Sequence, residues 1–157
     1  MMHHTMRRLV KSAPAGTWPE DEAEAGVTLA YEDRHRRRLR LTMDTGEPVL
    51  LDLPRAKPLA ENDGLGFADG GWVRVRAAEE DVLDVRGHDA AHLARLAWHL
   101  GNRHMATQIA ADGTLRIRYD HVIESMLRGL GAACERGRAP FQPEGGAYGG
   151  RHHHDHD

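Results

Sequence analysis

Histidine is the abnormal residue of this chain, 12 of 157, and four of the twelve fall in the last six positions as His152, His153, His154 and His156, interleaved with Asp155 and Asp157. Neutral imidazole is a borderline-soft nitrogen ligand suited to nickel, copper and zinc, and the carboxylates add hard oxygen donors. Asp155 interrupts the run, unlike a purification tag, so the segment reads as native sequence. From Pro140 onward the chain runs through Pro143, Glu144, four glycines and Tyr148. That composition cannot bury enough apolar surface to offset its ordering entropy, which predicts a mobile tail that captures ions without fixing one geometry.

The remaining histidines are scattered. His88, His92 and His99 follow one another at helical spacing, but seven residues at 1.5 Å rise separate His92 from His99 by about 10 Å, too far for one ion. A solvated face opposite the Leu93, Leu96 and Leu100 stripe explains each of them equally well. His104 follows Gly101-Asn102-Arg103, where the chain turns out of a helix into a strand, and His121 follows Asp120 at the start of the next helix. Loop and cap positions leave a ring free to coordinate, although an ordinary polar cap would look the same. His3 and His4 read as a loose terminus.

Several chemistries are missing. There is no His-Glu-x-x-His, no Walker loop and no Gly-x-Gly-x-x-Gly. Cys134, the single cysteine, excludes an intramolecular disulfide and every structural zinc site built on several cysteines, and its apolar neighbours predict burial over nucleophilicity. One cysteine fits a reducing cytoplasm. Met1 to Gly16 has no apolar export core, and no run approaches the ~18 apolar residues of a spanning helix, so neither export nor a membrane is expected. Net charge is −3, which gives no global case for nucleic acid. The run Arg34-His35-Arg36-Arg37-Arg38-Leu39-Arg40 is a local exception that could contact phosphate or an acidic protein, or could be the wet face of a strand with Leu39 and Leu41 inward.

The elements that must position these groups change character midway. Alternating runs at 7–11, 27–31, 37–43, 48–53 and 72–76, with a turn at Asp44-Thr45-Gly46 and repeated breaks from Pro54 to Gly71, predict a small all-β module over residues 1–80. Beyond it lie a strand at 82–86, a helix at 89–100 stopped by Gly101-Asn102, a hairpin at 106–111 and 115–119 around Asp112-Gly113, a helix after Asp120, and a strand at 132–136. Strand, helix, two strands, helix, strand is the ferredoxin-like βαββαβ order, making the whole an α+β protein.

The string His99-Leu100-Gly101-Asn102-Arg103-His104, then Gln108-Ile109, Asp120-His121-Val122, Met126-Leu127 and Pro140 to Tyr148 ahead of a His-rich tail, resembles the UreE family of urease accessory proteins. The match is specific over about residues 82–157. It is looser in the first half, where Leu53-Pro54-Arg55 and Ala77-Ala78-Glu79 are similar to that family's N-terminal module.

The resemblance implies a nickel metallochaperone and not an enzyme. It implies a homodimer whose chains carry a β peptide-binding-like domain (1–80), a ferredoxin-like metal-binding domain (81–142) and a flexible His-rich tail (143–157). Such a protein hands Ni(II) to a urease accessory GTPase within the urease maturation complex, and Zn(II) or Cu(II) compete for the same ligands in vitro. By position, His104 matches the family's histidine at the dimer interface, where two copies share one ion. His99 and His121 match positions implicated in peripheral binding, and His152, His153, His154 and His156 match variable C-terminal ligands. Ala106 replaces a common proline and Tyr119 a position that is sometimes histidine. The rivals are a zinc hydrolase using His99, His104 or His121 with Glu124 as base, which needs three converging ligands, and a peptide- or nucleic-acid-binding module using Arg34–Arg40.

Overall fold

The computed structural model describes residues 6–145, so His3, His4 and the tail histidines lie outside the described residues. Two compact units divide between Ala78 and Glu79.

The first unit holds β1 (Arg8–Ala13), β2 (Ala23–Leu29), β3 (Arg38–Thr42), β4 (Pro48–Asp52), β5 (Gly64–Phe67) and β6 (Trp72–Ala77). They form one sheet in the order β2-β6-β5-β1-β4-β3. Alternation assigns the faces: Val49 and Leu51 are buried, whereas Leu50 and Asp52 between and beyond them are not. Leu9, Val27, Leu41, Val73 and Val75 join them in the core. The β3–β4 hairpin turns at Asp44-Thr45-Gly46, with Gly46 at φ +96°.

β5 corrects the expectation that Gly64 and Gly66 merely break the chain. All four of its residues are buried. A Cβ on Gly64 would lie 2.4 Å from Trp18 Cδ2, and one on Gly66 would lie 2.5 Å from Lys11 Cε. The two glycines therefore make room on the sheet for an indole and a lysine stem, and Trp18 is fixed there by donating from Nε1 to Asn62 O at 3.0 Å.

The second unit runs β7 (Glu79–Arg86), α1 (Ala90–Asn102), β8 (Gln108–Ile109), β9 (Leu115–Arg118), α2 (His121–Gly129) and β10 (Ala133–Pro140). The sheet order is β10-β7-β9-β8 with every pair antiparallel, which is the ferredoxin-like arrangement. Leu83, Val85, Leu115 and Ile117 from the sheet pack against Leu96, Leu100, Ile123 and Leu127 from the helices.

β7 and β10 pair over eight residues, from Glu79↔Pro140 to Arg86↔Ala133, well beyond the strands expected. β10 lacks apolar alternation because it is mostly exposed, and Arg136 instead clasps Asp81 at 2.8 Å. The mobility expected from Pro140 onward does not extend to the residues just after it. Phe141 is fully buried, Gln142 N–H donates to Gln108 Oε1 and Glu144 N–H to Thr107 O, both at 2.8 Å. Among the described residues no helix is long and apolar enough to cross a membrane.

Candidate metal centre

Antiparallel pairing throughout the second sheet sends α1 and α2 in opposite directions, so the end of α1 and the start of α2 lie at the same end of the unit. That end collects His99, His104 and His121. The opposite end is marked by His92 Nε2, 2.8 Å from Leu130 O.

α1 starts at Asp89, whose side chain accepts from His92 N–H at 2.8 Å. It runs through the stop expected at Gly101-Asn102 and ends two residues beyond the limit expected at Leu100. His104 N–H donates to Gly101 O at 2.9 Å and Met105 N–H to Leu100 O at 3.0 Å, the paired bonds of a Schellman motif. Met105 packs back onto the core beside Leu100, which locks the motif. The left-handed residue that such a motif demands is His104 itself, at φ +57°. Glycine normally fills that position because a Cβ is strained there. The His104 side chain is exposed.

His99 is half-buried, its ring edge-on to Trp98 at 5.0 Å between centroids. Trp98 is 62% exposed, a residue that no motif in the sequence singles out. Its signal was an aromatic side chain off the Leu93, Leu96 and Leu100 stripe. His121 is the first residue of α2, exposed, behind Asp120, which caps Val122 and Ile123.

His88 and His92 are engaged elsewhere. Their rings stack at 4.5 Å, His88 N–H donates to His92 Nδ1 at 2.9 Å, and His92 Nε2 meets Leu130 O. Both ring nitrogens of His92 are thus used, Nδ1 on the chain just before α1 and Nε2 in fastening α1 to the turn after α2.

Among the described residues no three His, Cys, Asp or Glu side chains are grouped so that they could hold an ion. The hydrolase reading has no centre there. Its supposed base, Glu124, accepts from the Tyr119 hydroxyl and from Arg128 Nε, each at 2.9 Å. The Arg128 guanidinium, then the Tyr119 hydroxyl, hold that carboxyl below the usual range, so it stays ionised as a structural acceptor. Burial pushes the Cys134 thiol up, away from thiolate chemistry.

The Arg34–Arg40 run is not one continuous wet face. Arg34 is 2% exposed and donates to Leu29 O at 3.2 Å and Leu59 O at 3.3 Å, closing the loop between β2 and β3. Arg36, Arg37, Arg38 and Arg40 are exposed.

Fold and site together define a class: an α+β protein of two units whose ferredoxin-like half displays imidazoles at one end, with no coordination sphere completed among the described residues. The family model for the UreE urease accessory protein C-terminal domain matches residues 80–157, and that for the N-terminal domain matches residues 3–78. The chain belongs to the UreE family of urease accessory proteins. It is similar to urease accessory protein UreE of Burkholderia thailandensis, 54% identical over 131 residues, covering 83% of this chain and 61% of that one. The protein of the same name in Rhodopseudomonas palustris is 52% identical over 135 residues, 86% of this chain and 62% of that one. The chain spans about three fifths of the length of these relatives.

Proposed function

We propose that this chain is a nickel metallochaperone for urease maturation. It would bind Ni(II) through His104 at a homodimer interface, with His99 and His121 as auxiliary ligands and the tail histidines His152, His153, His154 and His156 collecting further ions. The observation that carries this reading is His104 itself. An exposed imidazole held at a position that favours glycine, with no hydrogen-bond partner among the described residues, is poorly explained by stability alone.

One imidazole does not make a site, and within the described residues of one chain nothing completes it. A second copy related by a two-fold axis supplies a second His104 at no extra design cost, because every isologous contact repeats each residue. The exposed indole of Trp98 beside His99 adds apolar surface at the same end of the unit.

A carrier must also release its cargo. Ligands in stable metal sites have their second ring nitrogen fixed by a carboxylate or carbonyl, as His92 is fixed here, whereas His104 and His121 have no such partner among the described residues. We take the recipient to be the urease accessory GTPase, acting in the cytoplasm. Zn(II) and Cu(II), which share these ligand preferences, should compete in vitro.

The test is Ni(II) binding by equilibrium dialysis to the full chain, to a chain lacking residues 149–157, and to His104→Ala. The truncation should lower the stoichiometry yet keep the tight site; complete loss of binding would move that site to the tail. His104→Ala should lose the tight site and keep the tail ions. Unchanged tight binding would remove His104 from the account.

A further inference from the structure

We infer that the solvent face of β1, β4 and β3, with the loop that follows β4, is a docking surface for an acidic polypeptide segment, a role separate from metal handling. The register places Arg8 opposite Leu50 and Leu50 opposite Arg40, so the three stand in one row across the face. Arg38 is opposite Asp52 in the next row. Asp52 is the carboxylate of these rows and is already engaged, 3.2 Å from Arg8 and from Arg38 and 3.7 Å from Arg37.

Positive charge accumulates beyond that pairing. Leu53 N–H donates to Arg37 O and Leu59 N–H to Arg34 O, each at 2.9 Å, which straps the intervening Arg55 and Lys57 alongside Arg36. The side chains of Arg36, Arg40, Arg55 and Lys57 are exposed and have no ion-pair or hydrogen-bond partner among the described residues. Residues 1–78 hold twelve Lys and Arg against twelve Asp and Glu, so this excess is a segregation of charge within a neutral unit. Glu20 and Glu61 are spent on Arg74 and Arg76 of β6, three strands away from β4 in the sheet. Clustered like charges destabilise a fold unless an oppositely charged partner offsets their repulsion.

Two features favour a polypeptide over a nucleic acid, since guanidinium forks grip carboxylates and phosphates alike. Half-buried Leu50 between Arg8 and Arg40 offers an apolar floor that a side chain can cover. β3 pairs with β4 alone, leaving the edge geometry to which an extended chain adds as a strand.

The experiment is fluorescence anisotropy of the full chain with a labelled ten-residue peptide alternating Glu and Thr around one central Leu. The peptide should bind, with affinity falling as salt rises. It should bind about tenfold more weakly to the triple variant Arg36→Glu/Arg40→Glu/Lys57→Glu, whereas Arg95→Glu/Arg103→Glu in the other unit should bind as the parent does. All three substituted side chains are exposed and unpartnered, so the thermal melt should be unchanged. If the triple variant does not fold, Arg40→Gln and Lys57→Gln tested singly should each weaken binding about threefold. Absence of peptide binding, equal binding by the charge-reversed chain, or equally tight binding of a ten-nucleotide single-stranded DNA would overturn the inference.

Discussion

A left-handed backbone costs an L-residue on the order of 1 kcal/mol, and His104 accepts that cost at the end of α1. Replacing it by glycine therefore separates folding from function. His104→Gly should leave the melting temperature unchanged or slightly raised, because relief of strain offsets the greater entropy of glycine in the unfolded chain. The same variant should lose the tight nickel site. A clear fall in melting temperature would mean that the imidazole is structural. The sequence pointed to His104 as a residue at a helix end, and the family resemblance singled it out. What it hid was the strain, because Gly101-Asn102 looked like the stop and the left-handed turn falls three residues after Gly101.

The carboxylates of the second unit make a pH prediction at the same scale. Arg136 holds Asp81, and Arg128 with Tyr119 holds Glu124, below the usual carboxylate range. A group whose folded pKa is depressed stabilises above its unfolded pKa of about 4 and loses that contribution as pH falls toward the folded value. Melting temperature should therefore decline on acidification below about pH 5, and Glu124→Gln should start lower at neutral pH but decline less steeply. Parallel slopes for parent and variant in melts at several pH values would contradict this.

Among the elements, β5 was the least legible and β9 and α1 among the most. Leu115 and Ile117 alternate with Arg116 and Arg118, and the Leu93, Leu96 and Leu100 stripe is continuous, so local pattern sufficed for both. Gly64-Leu65-Gly66-Phe67 has no such pattern, because its glycines answer to the bulk of Trp18 and Lys11, residues about fifty positions away. β10 escaped for another reason, since an exposed strand tied by Arg136 to Asp81 need not alternate. The difference between the two glycines is testable. Gly64→Ala drives a methyl into the rigid, hydrogen-bonded indole of Trp18 and should cost about 1–3 kcal/mol in urea unfolding. Gly66→Ala meets the flexible Lys11 stem and should cost clearly less. Equal losses would mean that the Trp18 contact is not what selects glycine in β5.

At the scale of the whole molecule, the two halves differ in what they expose: a β unit with segregated charge, and a ferredoxin-like unit whose His104 and His121 rings have no hydrogen-bond partner among the described residues. Composition and the His-rich tail point toward metal handling, yet the described residues of a single chain complete no metal site. The proposed shared ion comes only from the family resemblance, because symmetry between copies leaves no mark on the spacing of one sequence. The most direct measurement is sedimentation of the chain lacking residues 149–157 with Ni(II) at increasing ratios, reading mass and bound metal together, for parent and His104→Ala. The account predicts a dimer of the parent holding about one tight Ni(II) per two chains, and a variant that retains its fold without that ion. A nickel-loaded monomer, or a tight site that survives in the variant, would contradict it.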